Sequence, residues 1–322
     1  RRGIGDLRGS AQPESRFAMS RDDSPFSLCL EAVPPFDKYG EEGIEEVLSK
    51  VDAIHSQVPL HGVNIPEIRE ESSKSDKGER LQAFEPRVEP RELARRIKDR
   101  FGLECMINRV VVHLTPEEQA DWFRETWEQY GVRQFVLVGG EDSSIDYPGP
   151  NVPQANQLIR KTINDPALKV GNICIPTREG EANRLFRKID SGADFFTTQI
   201  VYHPEEFTRL LDALAEYGDQ KAMPEMLLTV TPIKSSRNIK FLHWLGVNIE
   251  PELESWLTED PDRVANRAQE HIETAWQTIE THRRNLATSV PLGWVAHPAN
   301  SSPKVDSVPT STSVASTSAN RA

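Results

Sequence analysis

The stretch CMINRVVVHLTPEEQADWFRETWEQYGVRQFVLVGG, residues 105–140, decides the fold. Cys105 to His113 is an apolar, β-branched run and reads as a strand. Thr115 and Glu118 follow at capping-box spacing, and Pro116 suits a first helical position. Phe123, Trp127 and Tyr130 make the inner stripe of the helix, and Gly131 ends it. Gln134 to Val138 is a second strand that runs into Gly139-Gly140. A strand, a helix and a strand joined this closely imply parallel pairing with a right-handed crossover.

The same alternation extends in both directions. Upstream, strands are predicted over Phe26–Val33 and Leu60–Ile65, each followed by a helix, over Gly43–Val58 and from Pro90 to the stop at Gly102. Downstream, strands are predicted over Leu168–Ile175, Phe195–Tyr202, Met226–Val230 and Val290–Val295. Helices are predicted over Glu181–Ser191, Glu205–Tyr217, Ser236–Leu245 and Pro261–Leu286. Eight candidate strands without an internal repeat fit a closed α/β barrel, the TIM (β/α)8 fold, which takes about 250 residues. An open dinucleotide-binding sheet fits less well, because no Gly-x-Gly-x-x-Gly follows the first strand.

The barrel is assigned to residues 26–297 of the 322. Residues 1–25 lack periodicity and read as a disordered leader. Residues 298–322 read as a disordered tail, since ten of the last 22 residues are Ser or Thr. Residues 70–80 have the composition of an exposed, mobile loop. Net charge is −12, from 38 basic and 50 acidic residues, which argues against nucleic acid or an anionic membrane as a partner. Apolar runs are far short of the roughly 20 residues that span a bilayer. The three cysteines, Cys29, Cys105 and Cys174, are too widely spaced for a disulfide framework or a zinc site and suit a reducing, cytoplasmic setting. His113, His203 and His297 are scattered, and no metal site is predicted.

In such a barrel the chemistry lies at the C-terminal strand ends. Glu31 sits in the apolar run Leu28–Val33, just before Pro34-Pro35; it is either a general acid or a structural carboxylate. Gly139-Gly140-Glu141 either admits a ligand against the backbone or forms an ordinary turn. Asn64 and Asn108 bond either a heterocycle or the barrel interior. The Gln199 amide, after Thr197-Thr198, suits a flat nitrogen ring. Arg187 and Lys188, late in a helix, fit a solvated face.

Taken in order, Leu30-Glu31-Ala32-Val33-Pro34-Pro35, Gly139-Gly140-Glu141, Lys188-Ile189-Asp190-Ser191-Gly192-Ala193-Asp194 with Thr198-Gln199, and Thr231-Pro232-Ile233 resemble the methylenetetrahydrofolate reductase family over roughly residues 26–300. The segment from Arg187 to Gln199 is the most specific part. The resemblance implies a TIM barrel that reduces methylenetetrahydrofolate to methyltetrahydrofolate with NADH or NADPH, usually through FAD, in the one-carbon metabolism that feeds methionine biosynthesis. It implies Glu31 as the general acid, Gln199, Glu141 and Asn64 at the folate, and Gly139, Gly140, Asn108, Arg187 and Lys188 at the cofactor.

This sequence departs from the family at the flavin. Gly139 stands where the family has an Arg, Asn64 and Asn108 replace a Thr and a His, and Ile175 replaces a stacking aromatic. These departures weigh against bound FAD and toward direct hydride transfer from the nicotinamide. The alternatives are a barrel that passes a folate methyl group to or from a corrinoid, and a folate-binding protein without catalysis. NADH versus NADPH and the oligomeric state stay open.

Overall fold

A computed structural model describes residues 28–141, 144–217, 223–286 and 290–296. The leader and tail readings lie outside these residues. Eight parallel strands close into a barrel in sequence order: β1 (Leu28–Glu31), β2 (Gly62–Pro66), β3 (Glu104–Val110), β4 (Gln134–Val138), β5 (Lys169–Cys174), β6 (Phe195–Thr198), β7 (Glu225–Val230) and β8 (Leu292–Ala296). Closure is made by β8 against β1, with Cys29 opposite Val295.

The helices are α1 (Gly40–His55), α2 (Pro90–Phe101), α3 (Pro116–Gln129), α4 (Val152–Thr162), α5 (Glu181–Asp190), α6 (Pro204–Tyr217), α7 (Ser236–Trp244), α8 (Pro251–Thr258) and α9 (Val264–Arg284). The capping box read from Thr115 and Glu118 is formed at the start of α3. Leu93, Ile97, Ile107, Phe123, Phe135 and Ile159 are fully buried in the layer between strands and helices. Each such side chain contributes about 1.5–3 kcal/mol. A separate cluster of Cys29, Met106, Val136, Phe195, Leu227 and Val295, one residue from each of six strands, fills the barrel interior.

Several expectations are corrected. The strand expected over Cys105–His113 stops at Val110, and Val111–His113 is a 3-10 turn. There the chain must leave the sheet to reach α3, and the Val112 carbonyl accepts from Gly149 rather than from a neighbouring strand. The strand expected over Phe195–Tyr202 stops at Thr198. Helices α4 and α8 were not predicted; both carry Pro in the first turn, and they bury few apolar side chains, Ala155 and Ile159 in α4 and Leu257 in α8. Residues 70–80, expected to be mobile, are tethered on two sides. Ser72 N–H donates to Glu141 at 2.8 Å, beyond β4. Lys74 N–H donates to Trp244 O at 3.0 Å and Glu79 N–H to Lys240 O at 3.1 Å, both on α7. Arg80 lies 4.9 Å over the Trp244 ring.

Candidate functional site

Side chains alternate across a strand, so residues two beyond the packed interior cluster face the same way, toward the mouth. By this count Glu31, Asn108, Val138, Thr197 and Thr229 stand above Cys29, Met106, Val136, Phe195 and Leu227. The register sets Asn64 beside Glu31 on one side and Met106 on the other.

Glu31 and Asn64 are brought together: Asn64 Nδ2 donates to Glu31 Oε2 at 3.1 Å. The strand pairing continues past Glu31, with Ala32 N–H on Asn64 O at 2.8 Å. Pro34 and Pro35 are then held by the segment before α2, through Arg87 Nη1 to Pro34 O at 2.6 Å and Val88 N–H to Pro35 O at 3.0 Å. A proline pair that cannot extend the ladder thus ends β1 with its carboxylate at the mouth.

Three buried side-chain oxygens here have no hydrogen-bond partner within the protein: Asn64 Oδ1, Asn108 Oδ1 and Thr197 Oγ1. Asn64 and Thr197 are each 3% exposed. A buried polar atom left unpaired costs about 1–3 kcal/mol, so such atoms mark a place where a ligand or water completes the pairing. Thr197 was passed over in the sequence; its position two residues after Phe195 was the signal.

The Gly139-Gly140-Glu141 segment has a different rationale from the one its glycines suggest. A Cβ on Gly140 would lie 2.3 Å from Tyr147 Cε2, so the ring of Tyr147 occupies that space. The Glu141 N–H donates to Tyr147 Oη at 3.1 Å. Glu141 also accepts from the Ser72 backbone and hydroxyl and lies 3.6 Å from Lys74 Nζ. The Ser72 hydrogen bonds hold its carboxyl below the usual range. Glu71 beside it is pushed up, chiefly by burial, with Lys74 opposing and Glu141 adding.

Gln199 reaches the rim beyond β6, but its amide is engaged. Nε2 donates to Leu245 O at 3.0 Å, and Oε1 accepts from Ile200 N–H at 3.0 Å. Arg187 is exposed on α5, as a solvated face requires, whereas Lys188 turns inward. Lys188 Nζ donates to Ile173 O at 2.6 Å and lies 3.9 Å from the buried Glu181. Burial lowers its pKa, with Glu181 opposing. The structure therefore separates two cations that the sequence sets side by side.

The turn from Lys188 to Asp194 is a knot of paired polar groups. Asn156 of α4 and Asn172 of β5 exchange hydrogen bonds at 2.8 and 3.0 Å. Asn156 also donates to Ser191 Oγ at 2.9 Å, and Ser191 Oγ donates to Lys188 O at 2.8 Å. Arg160 donates to Gly192 O at 2.9 Å and to Asp194 Oδ2 at 2.5 Å. Asp194 Oδ2 also accepts from Val170 N–H at 2.7 Å. The buried Asn172, inside an apolar strand, was the sequence signal for this network.

The residues that the resemblance gives to flavin do not fit it. A pyrophosphate needs several free donors or cations. Here Lys188 is spent on a carbonyl and a carboxylate, Arg187 faces outward, and the ring of Tyr147 fills the space beside Gly140. Among the described residues, no group of three or more His, Cys, Asp or Glu is placed to hold a metal ion, and no helix is long and apolar enough to cross a membrane.

Comparison with known proteins gives three results. The family model described as methylenetetrahydrofolate reductase matches residues 86–286. The 5,10-methylenetetrahydrofolate reductases of Escherichia coli K12 and Shigella flexneri are each 26% identical over 162 residues, 48% of this chain and 52% of theirs. The chain thus spans about half the length of the curated relatives it matches. Among solved structures, an uncharacterized protein from Clostridium thermocellum, described as binding two copies of 5-methyl-5,6,7,8-tetrahydrofolic acid, superposes with a TM-score of 0.70. That likeness covers 86% of this chain and 90% of the other at 22% identity, so it speaks to the fold.

Proposed function

The chain belongs to the methylenetetrahydrofolate reductase family, and from that premise we propose that it reduces methylenetetrahydrofolate to methyltetrahydrofolate, taking hydride directly from NADH or NADPH. The observation that carries this reading is Glu31 at the barrel mouth, bonded to Asn64 at 3.1 Å. The folate from the Clostridium thermocellum protein's description is the ligand class carried over to this mouth.

In the proposed reaction Glu31 gives its proton to the ring nitrogen that leaves when the five-membered ring of the substrate opens. The methylene carbon becomes an iminium on the other nitrogen. Hydride from the reduced nicotinamide adds to that carbon as the C=N π pair returns to nitrogen, and the products are a methyl amine and the oxidised nicotinamide. Asn64 orients the acid, and Glu141 and Gln199 stand at the rim to meet the pterin. For Gln199 this exchanges its bonds to Leu245 and Ile200 for the ligand. Asn108 faces the nicotinamide. With Tyr147 beside Gly140, and Arg187 and Lys188 set apart, no step is routed through a flavin.

A positioned general acid contributes about 10²–10⁴-fold. In anaerobic mixtures without added flavin, the wild-type protein is expected to consume NADH only when methylenetetrahydrofolate is present. Glu31→Gln is expected to lose this rate by about 10²-fold or more while keeping folate affinity within a few-fold. Wild-type turnover in Glu31→Gln removes Glu31 from the mechanism. Stoichiometric FAD in the purified protein overturns direct transfer. Folate binding without NADH consumption favours the non-catalytic reading.

A further inference from the structure

We propose that the floor of the mouth is a hydrogen-bond-accepting subsite, formed by Thr197, Asn64 and Asn108, that reads the N–H groups of an amide- or amino-bearing nitrogen heterocycle. This rests on the reductase reading and deepens it. The three residues come from β6, β2 and β3 and face the same space by strand alternation and register. Each contributes one buried oxygen without a partner in the protein.

The identity of the free atoms sets the ligand chemistry. One N–H of Asn64 is held by Glu31, and the buried atom it leaves without a partner is its carbonyl oxygen. The buried unpartnered atom of Asn108 is again the carbonyl oxygen. The Thr197 hydroxyl can accept or donate. Facing two carbonyls, a phosphate or carboxylate would set acceptor against acceptor, whereas an N–H donor pairs with both. Buried amides elsewhere can pair with each other, as Asn156 and Asn172 do, whereas at the mouth three unpaired oxygens from three strands fall together. Two components of the proposed reaction carry such donors: the carboxamide of the reduced nicotinamide and the amino-pyrimidinone edge of the folate.

The test measures binding to the full chain by calorimetry, with two matched pairs of probes. NADH is compared with reduced 3-acetylpyridine adenine dinucleotide, in which a methyl replaces the amide nitrogen. Tetrahydrofolate is compared with an analogue in which a methyl replaces the 2-amino group. In at least one pair the N–H-deleted probe is expected to bind about tenfold more weakly, since a site built around a hydrogen bond rejects the ligand that lacks it. Loss on the first pair assigns the subsite to the nicotinamide, and loss on the second assigns it to the pterin. Thr197→Val is expected to shrink the ratio to about twofold, and Thr197→Ser to restore it. Thr197→Val should also melt no lower than wild type, which separates a ligand contact from a structural one. Asn108→Leu is the second variant, with the same expected loss of discrimination.

Ratios within twofold for both pairs overturn the subsite, as does a ratio that both Thr197→Val and Asn108→Leu leave unchanged. If folate-dependent NADH oxidation persists with such ratios, the reductase reading stands and only the subsite falls. If the wild-type protein binds neither NADH nor tetrahydrofolate, both fall.

Discussion

The α5–β6 turn and the barrel mouth are built from the same kinds of side chain, used in opposite ways. In the turn, Asn156, Asn172, Ser191, Arg160 and Asp194 satisfy one another and the surrounding backbone. At the mouth, Asn64, Asn108 and Thr197 keep buried oxygens unpaired. The turn carries the segment that most strongly resembles the family, yet its geometry is that of a brace joining α4, β5 and β6. The mouth carries residues that depart from the family, and it is where pairing is left for something else to complete. Sequence resemblance can therefore lie in a segment that braces the fold, and by itself it does not mark a ligand contact.

The largest expected effect that tests this contrast is at Asn156. Asn156→Leu removes the donor to the buried Asn172 Oδ1 and to Ser191 Oγ and should destabilise the protein by about 2–4 kcal/mol. The urea midpoint reports this, and the tetrahydrofolate affinity of the remaining folded protein should not change. A variant as stable as wild type would break the comparison from the turn's side. Gly192→Ala should cost less, about 1–2 kcal/mol. Its φ of +114° strains any residue with a Cβ, and that Cβ would press on Arg160 Cγ at 3.3 Å. Thermal unfolding measures the loss, and a Tm equal to wild type would show that the turn relaxes freely.

The smallest effect concerns the strap formed by residues 70–80, tied to Glu141 at one end and to α7 at the other. The Glu141 carboxyl is held below its ordinary range by Ser72, so it stabilises the strap only while ionised. That contribution is present above the ordinary carboxyl range and is lost as pH falls through the depressed value. Glu71, raised by burial, has the opposite sign: its protonated form favours the present arrangement, and it takes up its proton at higher pH. Hydrogen exchange at Ser72, corrected for intrinsic rate, should therefore lose protection only on the acid side, by less than about tenfold. Glu141→Gln should remove that step. An identical pH profile in the variant would detach the strap from Glu141.

Within the barrel, element positions were legible because they follow from local pattern. Gln134 to Val138 reads as a strand and is one, and Thr115 with Glu118 reads as a cap and is one. Where the chain leaves the sheet was less legible: nothing local distinguishes Val110 from Val111 or Val112. The roles of Gly140 and Lys188 were hidden for a related reason. Tyr147 lies seven residues beyond Gly140, and the groups that hold Lys188 belong to a strand and a helix start.

The sequence by itself determined the barrel, the place of Glu31 at the end of β1 and the family likeness, since periodicity, caps and motif order are properties of the chain read in one dimension. Only the tertiary structure decided which polar groups are paired. That depends on what eight strands bring to one mouth, and a hydrogen bond is satisfied by distance in space, whatever the separation along the chain.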